Sequence, residues 1–253
     1  MIELKSRSEV EKMRRAAGVV SSILEELESM VAPGVTTKVL DREAERLIGK
    51  HGAKPAFKNY QVGRNVFPAV LCVSVNDEIV HGIPSGRRLV DGDIVSLDFG
   101  VVYEEFYGDS AVTVPVGTID DESRSLIETT ERCMYAGIEQ LRPGKRLGDV
   151  GAAVQEIAEH EGYGVVRDFV GHGIGRALHE DPQVPNFGMS GRGQALRAGM
   201  VLAIEPMINI GTPGVRVLDD GWTAVTADGS RSAHFEHTVA VTDDGPVILT
   251  SRN

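Results

Sequence analysis

Cysteine is almost missing from this chain: its 253 residues hold two, Cys72 and Cys133. No CxxC occurs, which excludes a thiolate zinc site and a thioredoxin-type redox pair. Neither H-E-x-x-H nor G-x-S-x-G is present, so the zincin and serine-hydrolase readings have no footing. Aromatic residues reach only 5%, and basic residues are the minority, 26 against 37 acidic, for a formal charge of −11. A generic nucleic-acid or anionic-membrane binder needs a basic footprint, and this chain has none. No apolar run approaches the ~20 residues of a membrane span. From Met1 the chain runs straight into a polar amphipathic segment without the apolar core of a signal peptide. The expectation is a soluble, cytoplasmic protein without specific nucleic-acid binding. Clustered acidic groups can also hold cations.

What is present is a chain able to build a large core. With 42% hydrophobic residues, a chain of this length buries roughly three quarters of its unfolded surface. Ser6 followed by Glu9 reads as a capping box, and Val10, Met13, Ala17, Val20, Leu24, Leu27 and Val31 recur at helical spacing. Pro33-Gly34 stops that helix. A second opens at Thr37, carries Val39, Leu40, Ala44, Leu47 and Ile48 on its apolar side, and ends near Gly52. β-branched stretches follow at Val70 to Val75, Ile94 to Val101 and Ala111 to Val114. The pattern then restarts. Asp121 caps a helix with Leu126, Ile127, Met134, Ile138 and Leu141, Pro143-Gly144 stops it, and another carries Val150, Val154, Ile157 and Ala158. Strands return at Val165 to Val170, Val201 to Ile210, Phe235 to Val241 and Val247 to Leu249.

This restart is a weak internal repeat. Pro33-Gly34 matches Pro143-Gly144, and His81-Gly82-Ile83 resembles His172-Gly173-Ile174. The segment from Leu89 to Asp98 resembles that from Leu196 to Glu205, and Asp109-Ser110-Ala111-Val112 resembles Glu236-His237-Thr238-Val239. Four pairs in the same order imply two α/β halves, approximately 1–118 and 119–253, related by an approximate two-fold. No linker-like tract separates them, so a single domain over 1–253 is expected.

Each matched strand carries an acidic residue where an apolar one belongs: Asp98, Asp109, Glu205 and Glu236. Buried carboxylates are costly unless paired, hydrogen-bonded or metal-bound. If the halves face each other, all four converge on one cleft, where they repel and raise each other's pKa. Two divalent cations would cancel the four charges, and His172 can add a neutral nitrogen. Singly, each of these residues reads as an ordinary turn, cap or loop residue; the mirrored set favours a metal site. Gly171-x-Gly173-x-Gly175 lacks both the G-x-G-x-x-G spacing and the lysine of a phosphate-binding loop.

The combined motifs resemble the type I methionine aminopeptidases nearly end to end. They are His81-Gly82-Ile83-Pro84, Asp98, Tyr107-Gly108-Asp109, Gly171-His172-Gly173-Ile174-Gly175, His179-Glu180-Asp181-Pro182, Ile204-Glu205-Pro206 and Phe235-Glu236-His237-Thr238. The resemblance implies the pita-bread fold, with a central antiparallel sheet and outer helices, and a dinuclear metal site. In that pattern Asp98 binds one ion, Asp109 and Glu236 bridge both, and His172 and Glu205 complete the second. The metals implied are Co, Fe(II), Mn or Zn. His81 and His179 would contact substrate, His179 as oxyanion donor, and Glu205 would shuttle the proton. Tyr60, Phe67, Cys72 and Trp222 would line the methionine pocket, where sulfur–aromatic contacts contribute ~0.3–1.5 kcal/mol each. The implied activity removes initiator methionine from nascent proteins when the next residue is small, near the ribosome, by a monomer.

Three departures from the family pattern stand out. Leu178 replaces a frequent aromatic, His234 stands where glutamine is usual, and the Tyr60–Phe67 stretch is about three residues longer. Two rivals share the fold: a proline-specific peptidase, and a peptide-binding module that has lost catalysis. The second should have lost ligands, and all five positions are filled.

Overall fold

The computed structural model describes residues 2–252, so Met1 and Asn253 of the expected single domain lie outside the described residues. Among the described residues four helices, α1 (Arg7–Met30), α2 (Thr37–Lys50), α3 (Asp121–Glu139) and α4 (Leu147–His160), accompany an antiparallel sheet of nine strands. Across the sheet the order is Lys54–Pro55, Ile94–Tyr103, Phe106–Pro115, Glu236–Thr242, Val201–Ile204, Gly171–Gly173 and Glu180–Val184. Leu71–Val75 also pairs with Ile94–Tyr103, and Gly245–Ile248 with Glu236–Thr242.

Local chemistry accounts for the helices. The Ser6 hydroxyl accepts from the Glu9 N–H, and the Glu9 carboxylate accepts from the Ser6 N–H at 2.9 Å, closing the anticipated capping box. Met13, Ala17, Val20, Leu24 and Leu27 are all buried. On α2 the apolar stripe is narrower than the sequence suggested: Val39 is exposed. The cap of α3 is Asp120 rather than Asp121, with its carboxylate accepting from the Ser123 N–H at 2.7 Å. Leu141 is buried beyond the helix end.

The strands show larger differences. Val165 to Val170 yields only a Gly164–Val165 strand, and Val201 to Ile210 breaks into Val201–Ile204 and Met207–Asn209. Pro206 explains the break, since it lacks an N–H for the ladder. The stretch expected at Ala111 to Val114 is a ten-residue strand, Phe106–Pro115, which takes in Asp109.

Successive strand residues face opposite sides of a sheet. Leu97, Phe99, Val101, Val112, Val239, Val241, Leu202 and Ile204 share one core with Val20, Leu24 and Leu27 of α1 and Met134 and Ile138 of α3. The helices therefore cover one face, and the alternate residues face away from them. The repeat leaves backbone marks: Gly34 and Gly144 have φ of 92° and 93°, and Gly92 and Gly199 have 95° and 92°. Isolated bridges Thr36–Arg88 and Arg146–Ala195 recur at matching places.

Candidate metal centre

Strand register brings the acidic residues together. Asp98 pairs with Ala111, and Ala111 with Glu236, so Asp98 and Glu236 flank one row on the face turned from the helices. Asp109 lies two residues from Ala111 on that same face. Opposite it stands Gly100, where a Cβ would meet the Asp109 Oδ1 at 3.1 Å and a Phe57 ring carbon at 2.9 Å. Glycine there leaves room for the carboxylate.

Hydroxyls stitch the Phe106–Pro115 strand to the segment holding Glu236. Thr238 Oγ1 donates to the Asp109 carbonyl at 2.7 Å, and Ser110 Oγ to the Glu236 carbonyl at 2.6 Å. These bonds fix the backbones of two carboxylate bearers directly. Glu205 follows Val201–Ile204 at the break made by Pro206. His172 comes from Gly171–Gly173, squeezed between neighbours: a Cβ on Gly173 would lie 2.2 Å from the Asp181 carbonyl oxygen.

Asp109, His172 and Glu236 are buried and offer ligand atoms all within 4.8 Å of one another. Asp109 Oδ1 and Glu236 Oε1 have no hydrogen-bond partner. His172 Nδ1 lies 2.9 Å from the Gly173 carbonyl oxygen, which can only accept, so Nδ1 carries the proton and Nε2 keeps its lone pair. That Nε2 is 3.3 Å from Glu205 Oε1. Buried carboxylate oxygens without donors, beside an imidazole with a bare nitrogen, fit divalent cations by the chemistry of their donors.

The electrostatics agree. Burial pushes the Asp98 carboxyl up to about 7. Burial raises Asp109 well above its ordinary range, and the charge of Asp98 adds to it. Glu205 and Glu236 are raised by burial first and by neighbouring carboxylates second. Burial lowers His81 to about 4 and His172 to about 3, each further lowered by His179. Burial also lowers His179. All three imidazoles are neutral at pH 7.

A cavity of about 230 Å³ brings all eleven sequence-predicted residues into one lining. Tyr60 Oη is 2.6 Å from His179 Nδ1, and the His172 and His179 rings lie 4.3 Å apart. Phe67 meets Trp222 edge-on at 5.2 Å, and His81 stands 6.1 Å from Trp222. His81 has φ of 61°, a conformation unusual for a side-chain-bearing residue and concentrated at functional sites. Burial raises the Cys72 thiol well above its ordinary value, so it is a neutral wall atom. Between Tyr60 and Phe67 the chain forms an exposed hairpin, Gln61–Val62 against Asn65–Val66. The Phe67 N–H donates to the Tyr60 carbonyl at 2.9 Å, which returns Phe67 to the cavity. Leu178 is buried in the same wall.

Sequence reasoning missed Phe57, Phe169 and Met207, which also line the cavity. Phe169 meets His81 edge-on at 5.3 Å from a stretch read as strand. It also missed Lys5 and Glu180. Glu180 Oε1 accepts from the Arg176 and Ala177 N–H groups at 2.7 and 3.2 Å, while Oε2 takes Lys5 Nζ at 2.6 Å. This partly buried pair holds the turn that presents His179. The capping-type spacing of Glu180 was a readable signal, whereas Lys5 carried none.

A model of metallopeptidase family M24 matches residues 11–243. Over 250 residues the chain is 53% identical to the methionine aminopeptidase of Clostridium perfringens, covering 99% of both chains. It is 50% identical to methionine aminopeptidase 1 of Bacillus subtilis over 250 residues, again covering 99% of each. Among solved structures, the methionine aminopeptidase of Thermotoga maritima superposes with a TM-score of 0.96 at 47% identity, covering all of both chains.

Proposed function

This chain belongs to metallopeptidase family M24, and from that premise we propose how its cleft works as a metal-dependent aminopeptidase that removes initiator methionine. The fold is the pita-bread fold. One observation carries the reading: the buried Asp109, Glu236 and His172 and the partly exposed Asp98 and Glu205 line a single cavity, in a chain similar to methionine aminopeptidases over its whole length. The substrates are N-terminal peptides of proteins, and the residue after methionine is small.

We assign Asp98, Asp109, His172, Glu205 and Glu236 to hold two divalent ions, drawn from Co, Fe(II), Mn and Zn. Asp109 and Glu236 would serve both ions, Asp98 one, and His172 and Glu205 the other. The halves 1–118 and 119–253 of one catalytic domain each supply part of this set. When bound, such ions supply Lewis acidity that lowers the pKa of water to about 7 and polarises a carbonyl. Glu205, whose proton affinity is raised by burial, takes the proton of the attacking water and delivers it to the leaving nitrogen. Tyr60 Oη lies 2.6 Å from His179 Nδ1; with the hydroxyl as donor there, the His179 proton sits on Nε2 and is free to donate to the developing oxyanion. Neutral His81 hydrogen-bonds the peptide as its bond breaks. Tyr60, Phe67, Cys72 and Trp222 enclose the methionine side chain, with His81 at the edge.

Initiator methionine exists on chains leaving the ribosome, which places the reaction in the cytoplasm on nascent proteins, with the enzyme acting as a monomer. No helix among the described residues is long and apolar enough to cross a membrane. The decisive assay incubates metal-loaded protein with Met-Gly-Met-Met and with an Xaa-Pro peptide under reducing conditions. Free methionine from the first and no cleavage of the second is the expected result. Absence of free methionine, or preference for Xaa-Pro, overturns the reading.

A further inference from the structure

His234 has no part in the scheme above, yet its imidazole lines the same cavity and is 2% exposed. Its backbone is firmly delivered. The His234 N–H donates to Thr113 Oγ1 at 2.8 Å, and that hydroxyl donates back to the His234 carbonyl at 2.9 Å. His234 also pairs in register with Met207, two residues beyond Glu205. Despite this, Nδ1 and Nε2 of the ring both lack a hydrogen-bond partner. A neutral imidazole has one donor and one acceptor nitrogen. A buried ring with neither satisfied is unusual enough to require an explanation.

The neighbours of Glu205 supply one. Its Oε1 lies 3.3 Å from His172 Nε2, and its Oε2 lies 4.0 Å from His234 Nε2. The carboxylate therefore stands between two imidazole nitrogens from different strands. The longer separation is too great for a hydrogen bond. Ligand atoms each about 2.1 Å from one cation lie about 3.0–4.2 Å apart, from adjacent to opposite positions. Both separations fall in that range.

We propose that His234 is a further protein donor to the metal centre, binding through Nε2 the ion held by His172 and Glu205. The proposal rests on the metal-centre reading above and sharpens it. A donor set with two imidazoles favours Zn, Co or Fe(II) over Mn, because imidazole suits the former and all-oxygen sets suit the latter.

The test uses the whole chain loaded anaerobically with two equivalents of Co(II) and compares wild type with His234→Gln and His234→Ala. X-ray absorption is expected to count an average of one imidazole per cobalt in wild type and about half that in either variant. Calorimetric Zn(II) affinity should fall about 10–100-fold in His234→Gln, while Mn(II) affinity changes far less. Added imidazole should restore the wild-type cobalt visible spectrum in His234→Ala. Equal imidazole counts and equal Zn(II) affinity in wild type and His234→Gln would overturn the proposal even if the enzyme cleaves methionine. A wild type that binds no metal overturns the metal-centre reading itself, and this inference with it.

Discussion

The two faces of the central sheet obey opposite rules. Along Ile94–Tyr103, Leu97, Phe99 and Val101 pack toward the helices with no exposure and only apolar company. Asp98, between them, faces a cavity shared with three other acidic residues. The same ten residues thus serve stability on one side and chemistry on the other. The helix face gains from every apolar atom it buries. The cavity face loses from every carboxylate it buries, unless protons or cations neutralise the charge. Period-two alternation lets one strand do both without compromise.

Breaking each face separately tests this contrast. The largest effect is expected from Asp109→Asn, which deletes one buried charge of the proposed metal centre while keeping the shape. Turnover should nearly vanish and metal stoichiometry should fall, with the folded signal unchanged. A variant that keeps wild-type kcat and stoichiometry would remove Asp109 from the centre. On the other face, Phe99→Ala should cost about 3–5 kcal/mol of stability by loss of burial and creation of a cavity. Its specific activity per folded molecule should stay near wild type at low temperature, as measured by chemical denaturation alongside methionine release. Loss of activity in a stably folded Phe99→Ala protein would show that the faces are not separable.

The smallest effect sharpens the comparison through pH. Asp98 is raised from its ordinary 3.8 to about 7, and Asp109, Glu205 and Glu236 are raised well above their ordinary values. The folded chain therefore binds these protons more tightly than the unfolded chain; the stability from Asp98 is lost as pH rises from 3.8 to about 7, and that from the other three is likewise lost as pH rises. His81, His172 and His234 are lowered from 6.5 to about 4, 3 and 3. Their contribution is complete well above 6.5 and is lost progressively as pH falls from about 6.5 toward those low values. From about pH 7 to 8 the histidines are mostly neutral in both folded and unfolded chains, so the raised carboxylates set most of this slope. Chelator-treated protein should therefore melt at progressively lower temperature over that interval, and divalent metal should flatten the trend. A metal-free melting temperature that is level or rising would contradict the raised carboxylates.

Much of this was legible in the order of residues. The Ser6–Glu9 cap, the stripe from Met13 to Leu27 and the two Pro-Gly stops are local signals that tertiary contacts did not override. The mirrored acidic positions pointed to one cleft because carboxylates in apolar strands demand compensation. Less was readable where geometry between distant segments decides. Phe169 reached His81 from a stretch with strand composition but almost no strand. Lys5 found Glu180 across 175 residues, and no local pattern encodes such a pairing. Val39 looked like core from its spacing, yet it is exposed on α2.

By itself the sequence determined which segments are helical, which strands alternate, and which acidic and histidine residues had to share a compensated site. Those are properties of short stretches: spacing, capping and the cost of burying charge. Only the tertiary structure decided which nitrogen of His172 stays bare, how His179 is braced by Tyr60 and the Lys5–Glu180 pair, and that His234 is left without partners beside Glu205. Those are matters of a few ångströms between strands far apart in the chain, and packing of the whole sheet sets them.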